Sequence, residues 1–148
     1  MTKRLQRIWR YGPLLIWMGF ISFASTSEFS ALNTSQVLRP LILWIFPNLS
    51  EEQVATIHLL TRKLAHFSEY AALGILSARA FSSSAHDFIQ RRWFQISLIL
   101  IVCYALLDEF HQSFVPSRTA SIYDSAIDVA GGLAALLACR RFLRRSQN

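Results

Sequence analysis

The stretch Tyr104-Ala105-Leu106-Leu107-Asp108-Glu109-Phe110-His111-Gln112-Ser113-Phe114-Val115-Pro116-Ser117-Arg118 closes an apolar run, Ile96 to Leu107, in two adjacent carboxylates, an imidazole and an amide. A proline-containing turn and an arginine follow. As a helix, the stretch sets Tyr104, Asp108, His111 and Gln112 on one face, because positions i, i+4, i+7 and i+8 stack above one another. A polar face at the end of a long apolar helix needs partners, and the rest of the chain supplies them.

Working outward, Phe94 to Phe110 is a spanning helix, and after a tight return from Gln112 to Ser121 a second apolar segment runs from Ile122 to Ala138. On the N-terminal side, His86 to Arg92 reads as a short polar loop and Ser82-Ser83-Ser84 as a break. Ser50-Glu51-Glu52-Gln53 has the pattern of a capping box. The helix it starts is polar at first and apolar from Leu64 to about Phe81. Glu28 to Asn48 is expected to be a connection, with Pro40, Pro47 and a short apolar stretch from Leu41 to Phe46. That stretch is too short to span a bilayer, which takes about 20 residues. It is expected to lie in the membrane surface or over the mouth of the bundle. Leu14 to Ala24, entered through Pro13, is the first spanning segment, with Trp9, Tyr11 and Trp17 as interfacial aromatics. A signal peptide cleaved after the small residues Ser22 and Ala24 is the competing reading, and a retained helix is favoured.

The 148 residues suffice for one domain; 53% are hydrophobic and 16% charged, against roughly a quarter charged in soluble domains. Mean hydropathy is +0.32. The net charge of +6 does not point to nucleic acid, because the basic residues flank the apolar runs as the positive-inside rule requires. With four helices drawn, Lys3, Arg4, Arg7, Arg10, Arg91, Arg92, Arg140, Arg141, Arg144 and Arg145 share one side, which is therefore cytoplasmic. The expectation is all-α: a single membrane domain, 1–148, forming an integral bundle of four transmembrane helices. Both termini are cytoplasmic, an outer-surface segment joins the first two helices, and the cytoplasmic (inner) membrane is the location. Cys103 and Cys139 lack any C-x-x-C spacing and read as free thiols.

In that topology the uncommon polar residues gather at the outer ends of three helices. Arg62, Lys63, His66, Glu69 and Tyr70 cover one side of the second, continued by Gly74. Asp124 and Asp128 lie at i, i+4 on the fourth, continued by Gly131 and Ala135, small residues that let helices approach closely. Arg118 sits in the outer return. A charge at the bilayer centre costs about 2.5–3.5 kcal/mol on insertion scales. These groups must therefore face the bundle and pair with one another. Structural roles compete one by one: Asp124 as a helix cap, Arg62 as a headgroup contact, His66 as an interhelical hydrogen bond, Tyr70 and Tyr104 as packing. Taken together, Asp108, Glu109, His111, His66 and Glu69 favour function over stability alone.

At these residues the chain resembles the VanZ-like family of bacterial membrane proteins, named after a protein associated with teicoplanin resistance. The resemblance rests on Lys63-Leu64-Ala65-His66-Phe67-Ser68-Glu69-Tyr70-Ala71-Ala72-Leu73-Gly74, on Tyr104 through Arg118, on Thr119-Ala120-Ser121 and on Asp124 to Gly132. It covers about Leu60 to Leu137. Ser117 stands where the family usually has glycine, and Asp128 where asparagine is expected. The resemblance implies a bacterial cell-envelope setting, a link to glycopeptide tolerance, and importance for these polar residues.

Three functions of different class follow. A membrane enzyme would act on a lipid or lipid-linked envelope precursor, with Asp108 or Glu109 as base, His111 or His66 as partner, and Arg118 and Lys63 holding a phosphate or carboxylate. The residue types also suit a divalent metal, although no H-E-x-x-H spacing supports one. A non-catalytic binding or scaffold protein would use the same pocket, with Tyr70, Tyr104, Gln112, Asp124 and Asp128 as further contacts. No serine lies in G-x-S-x-G, which favours binding somewhat. A proton-coupled transporter ranks last, for want of an internal repeat; a homo-oligomer would be needed to rescue it.

Overall fold

Ser50 begins the longest helix of the chain. Its hydroxyl accepts the Gln53 backbone N–H (3.3 Å), while the Gln53 side chain accepts the Ser50 N–H (2.9 Å). The capping box expected there is formed. The computed structural model describes residues 2–26, 30–116 and 121–145. Within these the elements are α1 Lys3–Ala24, α2 Ala31–Ile45, α3 Glu51–Ser82, α4 Asp87–Arg91, α5 Trp93–Gln112 and α6 Ile122–Arg145. The described residues are all-α, with no strand.

α3 and α6 run side by side in the same direction, and glycines set their separation. A Cβ on Gly74 would come 2.7 Å from the Gly132 carbonyl oxygen, and one on Gly132 would come 2.7 Å from the Ile101 side chain of α5. The small-residue stripe of the sequence is thus the α3–α6 contact itself. α5 runs antiparallel to both, and Tyr70, Leu73, Ile101, Ala105 and Leu136 form the core between the three. α1 lies against α3 and α5 with Leu14 and Ile21 buried. Trp17 Nε1 donates to the Glu69 carbonyl (2.9 Å) and the Tyr104 hydroxyl to the Met18 carbonyl (2.6 Å). α1 is therefore built into the bundle.

At 32 residues and 1.5 Å per residue, α3 is about 48 Å long, well beyond a hydrocarbon core of about 30 Å. The excess is its N-terminal part, which carries α2. Thr34 Oγ1 meets His58 Nε2 at 3.1 Å and Arg39 forms a two-pronged ion pair with Glu51. Here the structure corrects the sequence reading: residues 31–45 are a helix, capped by Ser30 on the Asn33 N–H, where a connection was expected. Pro40 stays inside it at an exposed position, at the cost of one backbone bond. The expected loop from His86 to Arg92 likewise holds the single turn α4.

Two helices, α5 and α6, are long and apolar enough to cross a membrane, with mean hydropathies of 1.6 and 1.5. In the most apolar stretch of each, 28% is buried, which suits helices associated with a membrane. Leu15, Ile16, Leu64, Ile99, Leu107 and Phe142 are among many large apolar side chains exposed on the bundle. Apolar surface on this scale calls for a non-aqueous surround. α1 and α3 have the length, but basic residues at the start of α1 and the polar first half of α3 dilute their hydropathy.

Candidate functional site

The bundle has two unlike ends. At one, Tyr11 bonds Ser84 (3.1 Å), Arg79 donates to the Trp9 carbonyl, and Arg140 lies over the Phe94 ring. The basic residues of α1, α4 and α6 collect there. At the other end, the shared direction of α3 and α6 matches Lys63 with Asp124, a turn deeper His66 with Asp128, and deeper still Gly74 with Gly132.

Lys63 Nζ is 3.1 Å from Asp124 Oδ1, and both side chains are about one third exposed. His66 Nδ1 is 3.3 Å from Asp128 Oδ1, and Asp128 is wholly buried. α5, coming the opposite way, adds Asp108 at 6% exposure. One oxygen of Asp108 accepts from Ser25, at the C-terminal end of α1, and the other from Gln112 Nε2 (2.9 Å). One donor atom each from His66, Asp108 and Asp128 all lie within 4.8 Å of one another. Among the described residues this is the cluster able to hold a metal ion.

The hydrogen bonding of the cluster is incomplete. The His66–Asp128 approach falls outside hydrogen-bond geometry, and neither Asp128 oxygen has a hydrogen-bond partner among the described residues. Nor has the Tyr70 hydroxyl, which is fully buried within electrostatic reach of Asp108 and Asp128. Buried carboxylates without compensation are expensive, and either a proton or positive charge supplied locally relieves the cost.

Two small cavities reach the cluster. One, of about 110 Å³, is lined by Ser25, Thr34, Arg62, His66 and Glu69; the other, of about 40 Å³, by Arg62, Lys63, His66 and Asp124. Of the larger hollows, an arginine-lined one and an apolar groove between α3 and α6 lie at the basic end, and a third, of about 320 Å³, lies at the start of α3 beside Leu49, Glu52 and Gln53. They touch none of the cluster residues. Drug-sized ligands fill roughly 300–1,000 Å³, so the cavities beside His66 suit a small group such as a phosphate.

The remaining expected residues divide. Glu109 is buried, and its Oε2 accepts the Ser121 N–H (2.7 Å), which ties the end of α5 to the start of α6. Gln112 is buried and orients Asp108. Glu69 is half-buried, lines the larger cavity and receives Trp17 on its backbone carbonyl. Tyr104 turns to α1, where its hydroxyl is held by the Met18 carbonyl and Ser22 Oγ (2.7 Å). His111 is not brought to Asp108. α5 buries the arc through Ser97, Ile101, Ala105, Asp108, Glu109 and Gln112, and His111, off the edge of that arc, is exposed. Arg118 lies outside the described residues. Sequence reasoning passed over Ser25, the first of the successive hydroxyl residues Ser25-Thr26-Ser27 that close an apolar helix. Arg62, read from the sequence as a headgroup contact, lines both cavities.

A family model described as VanZ/LLP1 matches residues 11–144, reaching into α1 and beyond the stretch that carried the sequence resemblance. No curated protein and no solved structure matches the chain.

Proposed function

The chain belongs to the VanZ/LLP1 family, and we propose that it is a multi-pass protein of the bacterial cytoplasmic membrane whose outward-facing site takes the phosphate-bearing head of a lipid or lipid-linked envelope component. In this reading α1, α3, α5 and α6 cross the membrane. The arginine-rich end, with both termini, is cytoplasmic by the positive-inside rule. α2 lies along the outer surface: Val37, Leu41, Trp44 and Ile45 are exposed at i, i+4, i+7 and i+8, the face an interfacial helix turns to lipid.

The observation that carries the reading is the buried His66, Asp108 and Asp128 cluster reached through cavities edged by Arg62 and Lys63. The two cations meet an anionic group at the entrance, and the carboxylates and imidazole stand behind it as base or as ligand contacts. Toward the basic end, the buried side chains Leu73, Ser77, Ser97, Ile101 and Leu136 include no titratable group. That supports a site closed at its inner end over a proton-conducting path. The link to teicoplanin tolerance that the resemblance implies gives the cellular readout.

Two measurements test this. Cysteine-accessibility mapping from both sides of the membrane should label Asp124→Cys from outside and Arg144→Cys from inside; the reverse pattern would sink the topology. Mass spectrometry of envelope lipids incubated with purified protein, wild type against Asp108→Asn, reads the chemistry. A mass change made only by the wild type identifies an enzyme. A lipid co-purifying only with the wild type, without turnover, identifies a binding protein. Neither result with any envelope lipid would end the proposal.

A further inference from the structure

We propose that His66, Asp108 and Asp128 hold one divalent first-row transition ion, of the Zn²⁺ or Mn²⁺ class, between α3, α5 and α6. This deepens the reading of the outer site above and rests on it for the ion's role, but its test reads metal and not lipid.

Geometry is the first support. Donor atoms around a single ion sit about 2.0–2.6 Å from its centre and so lie no more than about 4–5 Å apart. The three donors already meet within 4.8 Å, and they come from three different helices. The unsatisfied atoms point the same way. Both oxygens of fully buried Asp128 and Nδ1 of His66 lack hydrogen-bond partners among the described residues. The Tyr70 hydroxyl is a further unpartnered donor-acceptor with no exposure. A cation between His66 and Asp128 would satisfy the atoms of those two side chains together.

Charge balance is the third support. With both carboxylates ionised and the imidazole neutral, the cluster carries two negative charges. A divalent ion brings the buried cluster to neutrality, which a low-dielectric surround strongly favours. One nitrogen and two carboxylate oxygens suit Zn²⁺ or Mn²⁺ better than the all-oxygen preference of Ca²⁺ or Mg²⁺. Ser25 and Gln112 hold Asp108 from behind, as outer partners of metal ligands do. Three protein ligands leave a coordination position open. The cavities beside His66 give an anionic oxygen access to it.

The test uses the full chain purified in detergent, stripped with a chelator, then equilibrated with Zn²⁺ or Mn²⁺ alone. The expected result is about one ion per wild-type chain with a raised melting temperature, and binding at least about tenfold weaker in Asp128→Asn and in His66→Gln. His86→Gln, at the basic end, should bind like the wild type. Should the cluster variants fail to fold, pulsed electron paramagnetic resonance of Mn²⁺ in the wild type decides alone. Coupling to one imidazole nitrogen is expected there. A wild type that retains no ion, binding unaltered in both folded cluster variants, or Mn²⁺ without nitrogen coupling would each overturn the proposal.

Discussion

Gly131 of α6 sits against the Phe67 peptide of α3 with no room for a side chain: a Cβ there would fall on the Phe67 carbonyl oxygen and lie 2.9 Å from its carbon. The obstacle is backbone, so no rotamer change relieves it. This contact lies one turn below the His66–Asp128 approach and sets the distance between them. Gly131→Ala should therefore lose about 1–3 kcal/mol or more through overpacking, read as a lower melting temperature and lower membrane abundance. Gly19→Ala, where nothing lies within 4 Å of the added atom, should be neutral or slightly stabilising. Equal behaviour of the two variants would refute the close-packed α3–α6 seam.

Tyr104 makes both of its side-chain hydrogen bonds to α1, to the Met18 carbonyl and to Ser22. Tyr104→Phe should thus cost about 1 kcal/mol of stability, seen in a thermal melt in detergent, and leave ligand binding at the outer site intact. A variant of normal stability that no longer binds would instead return Tyr104 to the site.

Much of this was readable in the sequence, and the reasons are local. Ten basic residues beside the apolar runs gave the two ends of the bundle; Ser50 and Gln53 gave the start of α3; Gly74, Gly131 and Ala135 gave its partner. The helix α2 was hidden because Pro40 and Pro47 read as breakers, although Val37, Leu41, Trp44 and Ile45 already had helical spacing. His111 is exposed, although the face drawn through Tyr104 and Asp108 includes it. The buried arc is centred instead on Ile101, Ala105 and Gln112, about 100° around the helix from His111. The meeting of Ser25 with Asp108 depends on where α1 ends against α5, and no periodicity within either helix encodes that.

His58 supplies a pH dependence outside the spanning segments. It meets Thr34 of α2 at 3.1 Å. Partial burial, and then the nearby Arg62 cation, hold its imidazole below the ordinary value of 6.5. Folded His58 binds fewer protons than unfolded His58 in the window just under that value, so docking stability falls as pH drops through it and is fully present above it. Protection of the α2 amides, taken as exchange relative to the intrinsic rate at each pH, should fall from pH 7.5 to pH 5.5 in the wild type. His58→Gln should flatten that response. An α2 whose protection is independent of pH in both proteins would dismiss the linkage.

If His66, Asp108 and Asp128 act as one unit, their losses should not add. Removing one member leaves the other two with unbalanced charge or an incomplete site, so a second removal has little left to take away. Asp108→Asn and Asp128→Asn should each abolish the lipid binding proposed for this site, at unchanged membrane abundance. The double variant should be no worse than either single one. His111→Ala should be silent, because that ring is exposed and apart from the cluster. Gln112→Ala should be intermediate, since Asp108 keeps Ser25 but loses one of its two supports. Graded losses that sum across Asp108 and Asp128, or a full loss at His111, would divide the site into independent parts and move its centre to the outer rim of α5.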